Sequence, residues 1–256
     1  MQKQNNTRAM LNKVSEITIF FWVIKIISTT IGETTADFFT HKFGITALLV
    51  TGVILGISLF TQMCFKRYVP WMYWGVIVLM AIFGTMFSDA LRNSGIPLTF
   101  MSLGFFVALM IMFLIWYKIE GALDPHEINT TIREVFYWVV IFLTFALGTA
   151  AGDLLSNRFH LGYMDATIIF GIIMVVVPTM LYLLKINNIV LFWISYILTR
   201  PFGASGGDLI SHPVIKGGFG VGTGTTSLIF TCIMIVMIIF LTITHKNEME
   251  HEERII

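Results

Sequence analysis

Four carboxylates return at one fixed place in this chain. The sequence reads Phe21-Trp22…Gly32…Ala36-Asp37, then Tyr73-Trp74…Gly84…Ser88-Asp89, then Tyr137-Trp138…Gly148…Gly152-Asp153, and finally Phe192-Trp193…Gly203…Gly207-Asp208. In every copy Trp precedes Gly by ten residues and Asp by fifteen. Unrelated apolar segments do not share three spacings by chance, so the chain carries an internal fourfold repeat and Asp37, Asp89, Asp153 and Asp208 are quasi-equivalent. Ionisable groups inside apolar segments face a bundle interior or a water-filled cavity and mark ion or substrate paths. A set of Asp side chains with no equal number of basic partners attracts cations rather than anions. Carboxylates with hydroxyl and carbonyl oxygens form the donor set that hard cations take, which makes the four Asp the candidate metal ligands. The bland alternative is that each Asp is a turn residue satisfying loop amides.

Two copies depart from the repeat in ways that bear on this chemistry. In the first, Glu33 lies one helical turn before Asp37, stacking two carboxylates on one face, and is a fifth candidate ligand. Lys25 lies two turns before Glu33. It acts either as an internal counter-ion or as a side chain snorkelling to the membrane boundary. The fourth copy reads ILTRPFGASGGD. Arg200 is a second candidate counter-ion, and Pro201 removes a backbone donor, so a kink or break is expected there. Discontinuous helices of this kind are where transporters build binding sites. Thr34, Thr85, Thr149 and Ser205 lie between Gly and Asp and either add ligands or bond their own helix carbonyls.

The elements that must position these groups follow from composition. With 256 residues, 56% hydrophobic and only 12% charged, the chain is an integral membrane protein rather than a soluble domain. Eight apolar stretches are long enough to span: 17–37, 45–65, 71–89, 98–117, 135–154, 163–184, 189–208 and 223–243. The fold class is therefore all-α, with eight transmembrane helices from four parallel two-helix repeats. A two-span unit returns the chain to its starting side, which puts all four Asp at one face. The organisation is 1–16 N-terminal segment, 17–70 first repeat, 71–134 second repeat with linker, 135–188 third, 189–244 fourth, and 245–256 a solvated, fraying tail. Within the linker 118–134, Asp124-Pro125 marks a turn before a capped short helix.

Ten basic residues fall on one side (Lys3, Arg8, Lys13, Lys66, Arg67, Lys118, Arg133, Lys185, Lys246, Arg254) and four on the other (Lys42, Arg92, Arg158, Lys216). The positive-inside rule then places both termini in the cytoplasm. Each repeat Trp fits the inner aromatic belt, and fifteen residues of helix at ~1.5 Å carry the Asp ~22 Å outward. Gly32, Gly84, Gly148 and Gly203 each pair with a small residue four positions later, a small-xxx-small face on which the odd-numbered helices pack inward. The glycine-rich run at 218–222 lacks a Lys-Ser/Thr ending and is an outer loop rather than a phosphate cradle.

Other functions find no support. Net charge is +1 and the basic residues form no patch, so nucleic acid is excluded as a partner. Cys64 and Cys232 are small hydrophobes rather than a disulfide or zinc set. No nucleophile–base constellation of the usual spacing occurs, so the chain is not read as an enzyme and no cofactor is expected. The first span lacks a cleavage site and is retained.

The segments KIISTTIGETTADF at 25–38, FALGTAAGDL at 145–154 and FWISYILTRPFGASGGDL at 192–209 resemble a family of bacterial multi-pass inner-membrane proteins described as uncharacterised membrane-anchored proteins. The resemblance runs over nearly the whole chain and implies a bacterial cytoplasmic membrane; it implies no activity. The residues themselves point to a small transporter of a cation, either a divalent metal or a proton-coupled substrate. In this reading Asp37, Asp89, Asp153, Asp208 and Glu33 bind or relay charge while Lys25 and Arg200 reset the site. The alternatives are a non-transporting scaffold, sensor or accessory subunit, and a carrier of a small cationic or zwitterionic metabolite with aromatic residues beside the acids.

Overall fold

The computed structural model of the chain describes residues 13–65 and 67–253, and among these the secondary structure is helical with no strand. Lys3, Arg8, Lys66 and Arg254, and most of the 1–16 segment, lie outside the described residues. Eight helices follow in order: α1 Ile19–Phe43, α2 Ile45–Cys64, α3 Pro70–Asn93, α4 Leu98–Glu120, α5 Thr131–Phe159, α6 Tyr163–Leu183, α7 Asn188–Ser211 and α8 Thr223–Glu253. Their starts are chemically marked. Thr18 and Thr130 accept hydrogen bonds from the Phe21 and Arg133 amides at 3.4 and 3.2 Å, Asn187 accepts from Ile189 at 2.8 Å, and Pro70 occupies the first turn of α3. The linker cap thus opens α5 itself, after a single 3-10 turn at Pro125–Glu127, in place of a separate short helix. The helix α8 runs on to Glu253, into the 245–256 segment.

Seven of these helices are long and apolar enough to cross a membrane; α7, which carries Arg200, Pro201 and Asp208, is the exception. The division of labour is strict. More than half of the most apolar window of α1, α3 and α5 is buried, against under a fifth for α2, α4, α6 and α8. The odd-numbered helices form an inner ring in which α1 packs on α3, α3 on α5, α5 on α7 and α7 on α1. Each outer helix lies chiefly against the inner helix of the following repeat: α2 on α3, α4 on α5, α6 on α7, and α8 back on α1.

The repeat glycines explain the ring. A Cβ built on Gly32 would stand 2.5 Å from the Cβ of Ala81, and one on Gly84 would stand 2.9 Å from the Cβ of Phe145. On Gly148 it would meet the Cβ of Arg200 at 2.7 Å, and on Gly203 the Cβ of Thr29 at 2.9 Å. In each case the residue touched stands three positions before the glycine of the next repeat, and the fourth repeat touches the first. The four contacts are therefore copies of one head-to-tail joint that closes after four steps, a pseudo-fourfold bundle. Close backbone approach is the gain available to helices in lipid, where apolar side chains win little by leaving lipid tails. The closing joint adds polar contacts, because the Thr29 and Thr30 hydroxyls donate across it to the carbonyls of Thr199 and Gly203 at 3.3 and 2.9 Å. Interhelical bonds of this kind are worth on average ~0.6 kcal/mol each.

Sequence reasoning placed the repeat Trp residues in a lipid-facing belt, and the structure corrects this. Trp74, Trp138 and Trp193 are buried, together with Phe21, Tyr73, Tyr137 and Phe192 that precede the Trp residues, while Trp22 is half-buried. They form an aromatic layer across one end of the ring. Within it the Tyr73 and Tyr137 hydroxyls are 2.6 Å apart, Phe21 packs on Trp74 and Phe192, and Tyr137 packs on Trp193. The indole N–H groups of Trp74 and Trp193 donate to the Tyr68 hydroxyl and the Leu123 carbonyl, each at 3.1 Å. A ring of four helices leaves an axial gap that aliphatic side chains fill poorly, and large flat rings fill it. At the same end the buried Lys13 ammonium donates to Glu134 at 2.6 Å and to the Met63 carbonyl at 3.3 Å, fastening the segment before α1 to α5.

Candidate functional site

At the opposite end of the ring, all four inner helices continue past their Asp. Asp37 lies six residues before the end of α1, Asp89 four before the end of α3, Asp153 six before the end of α5 and Asp208 three before the end of α7. This overturns the reading of the Asp as turn residues: each is a helical side chain on the inner ring. Asp37, Asp89, Asp153, Asp208 and Glu33 all line one cavity of about 620 Å³, together with Arg92, Tyr163, Phe170, Ser205, His212 and Lys216. Its volume lies in the range of small-molecule sites. The Asp side chains are half-buried, so the cavity is roofed by protein but open at the helix ends.

The bases divide these acids unequally. Arg92 donates to Asp153 at 2.9 Å in a partly exposed pair, and Arg200 donates to Glu33 at 2.5 Å in a buried one. Among the described residues no Lys or Arg nitrogen lies within 4 Å of a carboxylate oxygen of Asp37, Asp89 or Asp208. The imidazole of His212 is 3.7 Å from the Asp208 carboxylate and stacks on the Tyr163 ring with centroids 4.6 Å apart. Donor atoms of Asp37, Asp208 and His212 lie within 4.8 Å of one another.

Arg200 lies behind Glu33, outside the cavity lining. It occupies the position that Thr29, Ala81 and Phe145 hold in the other repeats, with only 1% of its surface exposed. Its Nη2 donates to Glu33 and also to the Thr85 hydroxyl on α3, so the side chain crosses the ring axis. Glu33 and Thr85 both directly follow their repeat glycine, which is why one guanidinium reaches both. Nε and Nη1 have no hydrogen-bond partner. Gly148 makes room for this arrangement, since its missing Cβ is where the Arg200 stem passes. The break expected at Pro201 is absent: α7 is continuous across it. The neighbouring turns of α7 are gripped by α1 and α5, and this packing compensates for the lost donor.

Lys25 lies deeper, 1% exposed, with its ammonium over the rings of Phe145 and Tyr196 at 3.7 and 3.9 Å. It is held between aromatic faces inside the ring, neither snorkelling nor within reach of a cavity acid. The hydroxyls of Thr34, Thr85, Thr149 and Ser205 donate to the carbonyls of Thr30, Ala81, Phe145 and Phe202 at 2.8–3.1 Å. Each hydroxyl oxygen keeps a lone pair toward its surroundings.

Arg92, His212, Tyr163 and Lys216 escaped the sequence reading. His212 had a signal, lying one turn after Asp208, and Arg92 lies three residues after Asp89. Tyr163 and Lys216 come from the ends of outer connections and had none. The glycine-rich run 217–222 proves to be the cap of α7. Amides of Phe219, Val221, Gly222 and Gly220 donate to the carbonyls of Leu209, Ile210, Ser211 and His212 at 2.7–3.1 Å. Positive φ at Gly217, Gly220 and Gly222 allows the chain to fold back in this way.

A ring of repeats with half-buried acids and apolar outer helices defines the class: this is a multi-pass, all-helical membrane protein built from four tandem two-helix units. It belongs to the family described as Repeat of Unknown Function (DUF347), whose repeat matches residues 20–68, 72–122, 136–187 and 191–247. Each match covers one inner helix and the outer helix that follows it. No curated protein and no solved structure matches the chain.

Proposed function

We propose that this protein carries a cation across a membrane, with the acidic cavity as its binding site. The observation that carries the reading is the convergence of all four repeat Asp and Glu33 on one cavity, with fewer bases than acids in contact with them. Mutual repulsion among half-buried carboxylates is relieved when a cation enters, and that relief supplies binding free energy. Below the site Arg200, Lys25 and the aromatic layer close the axis, the condition for an occluded carrier rather than an open channel. Glu33 offers the coupling: an arriving cation competes with Arg200 for the same carboxylate. All eight helices span in this reading. Lys13, Arg67, Lys118, Arg133 and Lys185 flank the aromatic end, so the termini are cytoplasmic and the cavity faces outward, in a bacterial cytoplasmic membrane.

The test is flux of protons, divalent metals and small organic cations into liposomes holding the full chain, beside a variant with Asp37, Asp89, Asp153 and Asp208 changed to Asn. Uptake of one species that vanishes in the folded variant supports transport. No flux for any species, with the variant only less stable, refutes it in favour of a structural role. A second reading, an organic cation as cargo, draws on two observations: the cavity exceeds a bare ion in size, and Tyr163 and Phe170 line it beside the acids. Saturable uptake of a diamine, unmatched by any metal, would select it.

A further inference from the structure

We infer that Asp37, Asp208 and His212 form a binding site for one borderline transition-metal ion of the Zn²⁺ or Co²⁺ kind, at the joint where α7 meets α1. The inference rests on the reading of the cavity as a cation site, and narrows it to three ligands and a metal class.

The imidazole sets this group apart from a cluster of acids. Oxygen-only sites suit Mg²⁺ and Ca²⁺, whereas a neutral imidazole with carboxylates suits Zn²⁺, Co²⁺ and their neighbours. Asp208 lies in the last turn of α7 and His212 is its C-cap, an i, i+4 spacing at which two side chains converge on one ion. Asp37 arrives from α1, at the position equivalent to Asp208 in the adjacent repeat.

For metal–ligand bonds of about 2.1 Å, donors around a tetrahedral ion stand about 3.4 Å apart. The His212 nitrogen and Asp208 oxygen are already 3.7 Å apart, and the whole set lies within 4.8 Å. Closure requires side-chain movement of about an ångström or less per group, within rotamer freedom at a half-open cavity. The nitrogen nearest the Asp208 carboxylate is Nδ1. It offers its lone pair to a metal in the tautomer that carries the proton on Nε2, and stacking on Tyr163 holds the ring in place.

The charge count points the same way. Asp153 has Arg92 and Glu33 has Arg200, whereas Asp37, Asp89 and Asp208 have no Lys or Arg within ion-pair distance among the described residues, and of these Asp37 and Asp208 lie close to the imidazole. The second and third repeats carry Asn93 and Asn157 where the fourth has His212; the first carries His41, which is exposed and is not grouped with the acids, so His212 supplies the nitrogen ligand.

The experiment titrates the purified, detergent-solubilised full chain with Co²⁺, following its visible d–d absorption, with Zn²⁺, Mg²⁺ and Ca²⁺ as competitors. One Co²⁺ should bind, be displaced by Zn²⁺, and resist Mg²⁺ and Ca²⁺. His212→Gln, Asp208→Asn and Asp37→Asn should each weaken binding at least tenfold, since even outer-shell changes cost metal sites 10–100-fold. Glu127→Gln, beside Arg133 at the opposite end of the ring, should leave it near the native value. His212→Asp serves as the folded control, because it keeps a third ligand and should bind Co²⁺ with a shifted absorption band. Equal losses in Glu127→Gln and His212→Gln, displacement by Ca²⁺, or no band at all would overturn the assignment. Metal binding without flux would retain the site and defeat transport; diamine flux without metal binding would do the reverse.

Discussion

The head-to-tail joint makes a demanding prediction at Gly32. Replacing it with Ala adds one methyl where the Ala81 Cβ stands 2.5 Å and its carbonyl carbon 3.0 Å away, and part of that obstacle is backbone that cannot rotate aside. Forcing a methylene into a packed interior costs about 1–3 kcal/mol. Helix propensity returns up to ~1 kcal/mol on Gly→Ala, so the net loss expected is about 1–2 kcal/mol. Gly56, with nothing within 4 Å of its built Cβ, should instead be neutral or gain slightly on the same change. Ala81→Gly alone should lose ~1 kcal/mol through propensity. Combined with Gly32→Ala, however, it removes the very atom that collides. The double variant should therefore be more stable than the sum of the singles by about 1 kcal/mol or more, the sign of coupling expected for residues in contact. Equilibrium unfolding of the four proteins in mixed micelles reads all these quantities. If Gly32→Ala is as benign as Gly56→Ala, or the cycle shows no coupling, the ring joint inferred from the glycines is wrong.

Further outcomes follow from the buried charges. Arg200→Leu leaves Glu33 without its partner and should cost about 3–5 kcal/mol, the usual effect of breaking a buried pair, whereas Arg200→Leu with Glu33→Gln should recover much of it in the same unfolding assay. Glu134→Ala should free the segment before α1, seen as faster hydrogen exchange at residues 13–16 with the ring itself unchanged. Gly220→Ala places a side chain at φ +78, and its strain should loosen the cap on α7, raising exchange at the amides of 219–222.

Much of this architecture was legible because the repeat writes its own geometry. Equal spacing of Trp, Gly and Asp located the inner helices, and two apolar stretches per copy located the outer ones. Helix ends were less legible. Apolar character stops at each Asp while the helix continues for up to six residues, because the inner ring supplies a polar lining that hydropathy cannot anticipate. The Trp residues misled for a related reason: an indole near a basic stretch suits a lipid boundary and an aromatic core equally, and only the ring's axial gap decides between them. Lys25 was similarly ambiguous until Phe145 and Tyr196, from two other repeats, were placed around it. The break expected at Pro201 failed because local propensity yields to packing when a helix is held on both sides.

A symmetric ring of four identical repeats would present four equal acids with no means of telling one joint from another. This chain keeps the Asp at all four positions but varies the layers beneath them. Seven residues before the glycine stand Lys25, Ile77, Ile141 and Tyr196; three before it stand Thr29, Ala81, Phe145 and Arg200; one after it stand Glu33, Thr85, Thr149 and Ala204. The charged departures, Lys25, Glu33 and Arg200, come only from the first and fourth repeats, and α1 and α7 are the two helices whose contact closes the ring. His212 belongs to the same pair. Arg200 binds Glu33 across this joint and reaches Thr85 of a third helix, so movement of the α7–α1 contact must break or strain a buried ion pair, while the joints at Gly32 and Gly84 meet only apolar residues. Two joints thus rest on apolar contacts alone, the third at Gly148 holds the stem of Arg200, and the fourth carries the ion pair of that same side chain. In the proposed reading an ion at Asp37 and Asp208 would sit on this fourth joint, where its charge would compete with that of Arg200 for the acids of α1.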